Sequence, residues 1–158
     1  MIVFTAPTEH AVKLIAADMR QADAVEIMAS HGHTPIDALR AGWAESSYSM
    51  IVNEDLMPIA MFGLVVNSYV TGAGTPWLLA TNRAMNHKRE FLIQSPKVIS
   101  RMLDICPRLS NHVHVENKMT IRWLRWLGFT IGDAVPVGVN AEMFHKFYIE
   151  KVIDPCVA

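Results

Sequence analysis

Three polar side chains alternate with valines late in the chain, in a pattern that could place acid–base chemistry on one face of a strand. His112, His114 and Glu116 are separated by Val113 and Val115. Residues two apart in a strand share a face, and a histidine beside a glutamate can transfer a proton. We therefore predict His114 and Glu116 as the catalytic pair, with a plain polar strand face as the alternative. A fourth ligand is not evident beside the three, so we predict no metal site.

A second candidate is the basic segment 81–89, which contains Arg83, Lys88 and Arg89 and no glycine. If a helix begins there, its N-terminus and the three cations could attract phosphate groups. Without glycine, a close approach of the backbone to a phosphate is more difficult. The alternative is a basic turn exposed to solvent, and we favour that alternative.

Two further groups of residues have suggestive spacing. Arg20, Asp23 and Glu26 are three residues apart, which places them on one helical face where ion pairs form. We expect this face to be solvated or internally paired, and the residues alone assign it no chemistry. Trp123 lies between Arg122 and Arg125, a composition enriched at protein interfaces, although most tryptophans belong to the core.

Helices and hairpins alternate along the chain and must position these residues. Apolar runs bounded by turn residues predict strands at 2–4, 48–52, 58–66, 77–81, 111–116, 134–139 and 144–149. Helical spacing of apolar residues predicts helices at 8–30, 34–43, 86–105 (interrupted at Ser95-Pro96) and 118–127. This order predicts an α/β domain with a mixed sheet. Because a helix connects strand 77–81 to strand 111–116, we expect those two to be parallel and to splay apart.

Composition limits the class of protein. The chain has 158 residues, 51% hydrophobic and 18% charged, with a formal net charge of -1. These values predict one globular domain, residues 1–150, followed by a short C-terminal tail, 151–158, and no disorder. The near-neutral charge disfavours nucleic acid as a partner, and no apolar run is long enough for a membrane span. The first residues do not resemble a signal peptide, and the two cysteines are far apart, so we expect cytoplasmic folding.

Segment 117–129 carries the first resemblance to a known family. It begins with Asn117, continues as a predicted helix and ends with Gly128-Phe129. This pattern resembles the late motif of the GCN5-related N-acetyltransferases (GNAT), in which an Asn ends a central strand and a helix leads to Gly-Phe. The resemblance implies the GNAT fold, also called acyl-CoA N-acyltransferase-like, with Phe129 entering the core.

The same resemblance implies a cofactor, acetyl-CoA or CoA. The residues it implies for cofactor binding are Leu79, Ala80, Thr81, Arg83, Lys88, Arg89 and Asn117. Two positions depart from the family pattern. The glycine-rich turn that holds the pyrophosphate in the family corresponds to the glycine-free segment 81–89. The usual proton donor, a tyrosine seven residues after the Asn, is Leu124 in this sequence. These two departures predict weak or absent cofactor binding.

A narrower resemblance covers nearly the whole chain. Its motifs are Arg20-x-x-Asp23-x-x-Glu26, Ala38-Leu39, Pro58-Ile-Ala-Met-Phe-Gly63, Pro76-Trp-Leu-Leu-Ala-Thr81, Pro107-Arg-Leu-x-Asn111 and Ile121-Arg-Trp-Leu-Arg-Trp-Leu-Gly-Phe129. In order and spacing they are similar to small acetyltransferase-like proteins encoded beside the virion genes of short-tailed phages. That family is linked to virion assembly and to internal virion proteins. The resemblance implies phage or prophage origin, virion proteins as partners, and location in the cytoplasm of the infected bacterium or in the virion.

Two functional hypotheses follow. The first is a phage-lineage assembly or interaction protein on the acetyltransferase fold, with reduced or absent catalysis. The second is an active acetyl-CoA-dependent N-acetyltransferase with a non-standard cofactor site. The glycine-free turn and Leu124 favour the first hypothesis, because neither supplies what acyl transfer requires. Fold alone does not choose between them.

Overall fold

The computed structural model describes residues 1–152, which fold around one mixed sheet. Its strands are β1 (Ile2–Thr5), β2 (Tyr48–Glu54), β3 (Met57–Ser68), β4 (Ala73–Ala80), β5 (Arg108–His114), β6 (Thr130–Val137) and β7 (Glu142–Glu150). Its helices are α1 (Glu9–Ala17), α2 (Gln21–His31), α3 (Pro35–Glu45), α4 (Lys88–Ile105) and α5 (Lys118–Trp126), with a 3₁₀ helix at Asn82–His87. The strands are arranged in the order β1-β2-β3-β4-β5-β7-β6.

Local capping explains where the first helices begin and end. The Thr8 hydroxyl accepts a hydrogen bond from the Ala11 N–H at 3.2 Å, and the Thr34 hydroxyl accepts one from the Asp37 N–H at 3.3 Å. Each threonine satisfies a backbone donor that has no partner inside its helix. Helix α2 ends at Gly32, whose φ of 66° lies in the left-handed region that glycine adopts without strain.

The sheet separates two hydrophobic cores because neighbouring residues of a strand point to opposite faces. Ile51 and Met61 pack with α1 and α3, whereas Val52 and Phe62 pack with α4 and α5. The helices therefore cover both faces of the central strands.

The predicted fold class is confirmed. Strands β2, β3 and β4 are antiparallel neighbours, and β5 runs parallel to β4. Phe129 is buried, as predicted, with its ring 5.2 Å from that of Phe147 in an edge-to-face arrangement.

The predicted helix 8–30 is wrong, because two helices occupy this region. Residues 18–20 leave helical geometry and pair with the end of β4. Met19 forms a bridge with Thr81, and the Arg20 N–H donates to the Ala80 carbonyl at 2.8 Å. Apolar residues recur at helical spacing on both sides because each helix buries a face, so the pattern does not reveal the break.

Helix α4 continues through the predicted interruption at Ser95-Pro96. Proline at this position removes one N–H donor from the helix. The Ser95 hydroxyl donates to the Phe91 carbonyl one turn earlier. Since Pro96 is exposed and Ser95 is buried, the proline ring does not displace packed side chains.

Strand β5 differs from the predicted strand 111–116 at both ends. It begins earlier, at Arg108, and ends at His114, and Val115 and Glu116 form a turn before α5. At the other end of the domain, residues 151 and 152 follow β7, and the rest of the predicted tail, 153–158, lies outside the described residues. No helix within residues 1–152 combines the length and the apolar character that crossing a bilayer demands.

Candidate functional site between the fourth and fifth strands

The main cavity of the described residues opens where β4 and β5 diverge. The two strands pair only at Ala73 with Arg108 and at Gly74 with Leu109. Beyond this point the Asn111 side chain reaches across, and its Nδ2 donates to the Pro76 carbonyl at 2.9 Å. The resulting cleft has a volume of about 640 Å³ and contacts α2, α4 and α5 as well as the two strands.

The backbone of β4 presents alternate residues to this cleft. The Thr81 N–H donates to the Ile59 carbonyl of β3 at 2.8 Å, so in an antiparallel ladder Leu79 also directs its N–H and C=O toward β3. Leu78 and Ala80 direct their N–H and C=O groups toward the cleft, and Pro76 directs its C=O there. Both Pro76 and Ala80 have partners there, while Leu78 has no hydrogen-bond partner across the cleft within residues 1–152.

Asp23 of α2 closes one end of the cleft. Its carboxylate is buried and accepts from the Ala80 N–H at 2.9 Å and from the Arg20 guanidinium at 2.5 and 3.1 Å. The Arg20 guanidinium also lies 3.3 Å from the sulfur of Met85. A buried carboxylate with a guanidinium and a backbone donor is compensated for the water it has lost. These contacts hold α2 against the end of β4.

Glu26 lies one turn further along α2, and its carboxylate faces the same cleft. Its Oε1 accepts from the His114 N–H at 2.7 Å and from Asn117 Nδ2 at 3.0 Å. Burial raises the pKa of Glu26 and the nearby Asp23 charge adds to the increase, while the two hydrogen bonds oppose it. Glu26 therefore takes up a proton more readily than an ordinary glutamate.

The Asn117 side chain forms two hydrogen bonds at this site. Its side-chain oxygen accepts from the Thr120 N–H at 3.4 Å and so caps α5, while its Nδ2 binds Glu26. Asparagine is among the preferred residues at a helix N-terminus. One buried side chain thus links the first turn of α5 to α2 across the cleft.

The predicted pair His114 and Glu116 lies outside the cavity lining. Because β5 ends at His114, the expected shared strand face of residues 112, 114 and 116 does not form. The His114 Nε2 lies 2.9 Å from the Glu142 carboxylate, and its ring packs edge-on against Phe144. Glu116 is exposed in the turn, where its N–H donates to His114 Nδ1 at 3.2 Å. The structure therefore brings these two residues together but away from the cleft.

His112, the third residue of the predicted strand face, lines the cleft. Burial, together with the positive charge of Lys146, lowers the pKa of His112. No group of three His, Cys, Asp or Glu side chains within the described residues has the arrangement of a metal site.

The turn 81–89 fits a pyrophosphate poorly. Its first part is wound into the 3₁₀ helix, in which the Ala84 N–H is bonded to the Thr81 carbonyl. Arg83 forms an ion pair with Glu54. His87 lies 2.7 Å from the Glu54 carboxylate and also binds Glu90. The two carboxylates repel a phosphate, and they hold Arg83 and His87 in ion-pair contacts that a phosphate would have to displace.

The remaining predicted cofactor residues are divided between the cleft and its surroundings. Leu79, Ala80, Asn117 and Lys88 line the cavity, while Thr81, Arg83 and Arg89 do not. The Thr81 hydroxyl instead donates to the Ile59 carbonyl at 2.8 Å. Lys88 and Arg89 are exposed and form no ion pair within residues 1–152.

Helix α5 supplies the apolar wall of the cleft. Leu124, at the position of the family's proton donor, is buried in the core and cannot donate a proton. Beside it the Trp123 indole N–H is buried and has no acceptor within residues 1–152. Trp123 therefore belongs to the cavity, whereas Trp126 is exposed.

Sequence reasoning did not place Asp23 and Glu26 at the site. Their spacing from Arg20 indicated a shared helical face, and this face is observed. It could not indicate that the face turns toward β4, because the break at residues 18–20 sets the direction of α2. The polar pattern of α2 predicted the shared face, but the direction in which that face points depends on tertiary structure.

Sequence comparison gives little. No protein-family model matches the chain. One curated protein, Protein PB1-F2 of an influenza A virus, is 29% identical over 77 residues, which cover 46% of this chain and 82% of that protein. This similarity is confined to less than half of the chain and does not show a family.

Solved structures match over almost the whole chain. A ribosomal-protein-alanine N-acetyltransferase from Brucella melitensis has a TM-score of 0.71 at 12% identity, covering 94% of this chain and 99% of that one. Spermidine N-acetyltransferase from Vibrio cholerae, in complex with CoA and spermine, has a TM-score of 0.65 at 15% identity, with 95% of each chain covered. A putative acetyltransferase from Salmonella typhimurium with its cofactor acetyl-CoA has a TM-score of 0.65 at 14% identity, covering 100% and 99%. At these identities the likeness shows the fold alone: the chain has the fold of the GCN5-related N-acetyltransferases.

Proposed function

We propose that this chain is a phage-lineage protein that uses the acetyltransferase fold for virion assembly or protein interaction, with reduced or absent acyl transfer. The observation that carries the proposal is the convergence of the lineage motifs on one cleft. Arg20, Asp23 and Glu26 line it from α2, residues 76–80 line it from β4, and Asn111 bridges it. Arg20 and Asp23 pair with each other, and Glu26 accepts from the neutral Asn117 amide, so these groups of the cleft stabilise its packing.

The cofactor side of the cleft supports the same proposal. Acetyl-CoA and CoA carry a pyrophosphate that needs free donors, and Glu54 and Glu90 engage Arg83 and His87 in the turn that would provide them. Only Lys88 and Arg89 remain for phosphates, and exposed charges give weak, salt-sensitive binding. The proposed partners are other virion proteins, in the cytoplasm of the infected bacterium or inside the virion.

A second candidate is an acetyl-CoA-dependent N-acyltransferase, and Glu26 favours it. A carboxylate with a raised pKa, facing a cleft in this fold, can accept the proton that an ammonium group must lose before it attacks an acyl carbon. Lys88 at the cleft and Arg89 nearby would be the cations available to the phosphates. Leu124 and the paired turn 81–89 remain the observations against this candidate.

Calorimetry with acetyl-CoA at low and physiological salt tests the first proposal against the second. We expect no measurable binding at physiological salt, and at most weak binding at low salt that disappears as charges are screened. Lys88→Ala should remove such low-salt binding, whereas Lys97→Ala, an exposed lysine of the same helix outside the cavity lining, should leave it unchanged. Micromolar affinity that survives physiological salt would establish the second candidate instead.

The assembly role has its own test. Particles of the phage that encodes this chain should contain it when they are purified through a density gradient and analysed by mass spectrometry. An alternative positive result is its presence in assembly intermediates isolated from infected cells. If the chain is absent from both and its deletion leaves the yield of infectious particles unchanged, the assembly role is wrong.

A further inference from the structure

We propose that the cleft binds an extended peptide segment of a partner protein, with the peptide main chain on Leu78 and a cationic side chain at Glu26. This inference rests on the proposed interaction function and names the chemistry of the partner. It combines an open strand edge with a carboxylate, Glu26, that forms no ion pair with any of residues 1–152.

The open edge is the backbone of Leu78. After Gly74, β5 no longer pairs with β4. Groups from other residues bind most of the backbone N–H and C=O groups of β4 that face the cleft. Asn111 binds the Pro76 carbonyl, and at Ala80 the N–H is taken by Asp23 and the carbonyl by the Arg20 N–H. Among the β4 residues that face the cleft, only Leu78 keeps both a donor and an acceptor unbound by the part of the chain that the structure describes. A neighbouring donor and acceptor on a strand edge match one residue of an extended peptide.

The size of the gap limits the peptide. Four residue steps separate Pro76 from Ala80, which corresponds to about 13 Å at the rise of a β-strand. An extended segment of about three residues therefore fits between the two occupied positions. The wall opposite β4 is apolar and includes Val113, Trp123 and Leu124, so side chains flanking the central residue can be apolar.

The charge of the cleft selects a cation. Asp23 is neutralised by Arg20, whereas the partners of Glu26 are the neutral amide donors of Asn117 and His114. Glu26 therefore keeps a net negative charge in a partly buried position. A lysine or arginine side chain would compensate this charge and replace part of the lost hydration. An acidic peptide would instead place two like charges in one cleft.

A cofactor is a poorer match to the same edge. The amide groups of CoA's pantetheine arm could also use Leu78, but the phosphates at its other end meet Glu54 and Glu90 beside the paired turn. A peptide carries no such phosphates. The peptide is thus the occupant we infer, and pantetheine is one arm of the test.

The experiment is an amide-detected NMR titration of the full chain with three probes. These are acetyl-valyl-lysyl-valyl-N-methylamide, its glutamyl counterpart, and pantetheine. We expect the lysyl peptide to bind in the millimolar range, with the Leu78 amide among the most perturbed signals, and the glutamyl peptide to bind about tenfold more weakly, the value of a charge-assisted contact. No binding of the lysyl peptide, equal binding of the two peptides, perturbations confined to other surfaces, or binding of pantetheine alone would each overturn the inference.

Matched variants separate the two contacts. Glu26→Gln should weaken the lysyl peptide about tenfold and abolish the preference over the glutamyl peptide, while Glu116→Gln, exposed outside the cleft, should change neither. Leu78→Pro removes the cleft-facing N–H without removing a β3 hydrogen bond, whereas Leu78→Ala trims the side chain and keeps the N–H. Binding that survives Leu78→Pro, or a preference that survives Glu26→Gln, contradicts the inference. If the peptides fail while acetyl-CoA also fails to bind, the peptide site is wrong and the proposal of reduced acyl transfer still stands.

Discussion

Two segments beside the same cleft compare differently with the acetyltransferase pattern. Segment 117–129 keeps its pattern: Asn117 caps α5, Gly128 follows the helix with a φ of 97°, and Phe129 is buried. Turn 81–89 does not keep it, since it has no glycine and its Arg83 and His87 are engaged by carboxylates. The family pattern is kept where the residues serve the fold, and it is lost where residues would serve only a cofactor.

This difference shows how a fold and an activity can be separated in one chain. A helix cap, a left-handed glycine and a core aromatic stabilise the domain whatever the cleft binds. A glycine-rich anion site has no such second role, so its replacement leaves the fold unaffected. Matches at positions with a structural role therefore support the fold and carry little weight for catalysis.

The largest expected effect concerns the structural side of the comparison. Phe129→Ala should lower the free energy of unfolding by ~3–5 kcal/mol, because it removes a buried ring and its contact with Phe147. Chemical denaturation measures the loss. Trp126→Ala on the neighbouring helix is the control, since Trp126 is 56% exposed, and should cost less than ~1 kcal/mol. Equal losses for the two variants would mean that segment 117–129 is not fixed by its core aromatic.

A smaller effect is expected at Asn117, which belongs to the fold and to the cleft. Asn117→Ala removes the cap of α5 and one donor to Glu26, and should cost ~1–3 kcal/mol by denaturant unfolding. Thr34→Ala, which removes a cap on α3 outside the cavity lining, should cost ~1 kcal/mol. If the two variants lose the same stability, the bond from Asn117 to Glu26 contributes nothing, and Asn117 is a cap alone.

The sequence predicted the fold better than the site for a physical reason. Fold signals are local: hydrophobic period, caps and turn residues correctly predicted the hairpins and the parallel β5, and the resemblance of segment 117–129 correctly implied the buried Phe129. The site depends on directions that arise only in three dimensions. His114 and Glu116 were placed on a shared face because the strand was extended two residues too far, and one turn after His114 was enough to expose Glu116. Asp23 and Glu26 reached the cleft through the break at residues 18–20, which apolar spacing does not record.

Glu26 provides a pH test of the cleft. Burial raises its pKa above the ordinary value of 4.5, so the native state binds a proton more strongly than the unfolded state. Wild-type stability should therefore fall as pH rises from about 4.5 through the raised pKa. Glu26→Gln lacks this titration and should be more stable than the wild type at about pH 7.5, with a difference that shrinks toward about pH 4. Thermal unfolding across this range measures it.

Glu116→Gln is the matched control for that titration, because Glu116 is exposed. Its stability relative to the wild type should change little across the same pH range. A constant difference between Glu26→Gln and the wild type would show that folding does not raise the pKa of Glu26. Water or its two hydrogen bonds would then already compensate its charge, and a peptide cation would gain little there.

The smallest expected effect tests whether the polar groups of turn 81–89 are engaged. The hydrogen bond to Glu90, followed by the contact with Glu54, raises the pKa of His87 above 6.5. The stability that protonated His87 contributes should therefore be complete below about pH 6.5 and lost as pH rises through the raised pKa. His87→Gln should cost more at about pH 6 than at about pH 9, by less than ~1 kcal/mol, since ion pairs near the surface contribute little. Glu90→Gln in the wild-type background should remove most of this pH dependence, as measured by denaturant unfolding at both pH values. If His87→Gln costs the same at both, the carboxylates do not hold His87, the donors of the turn are available to an anion, and the contrast with segment 117–129 loses its physical basis.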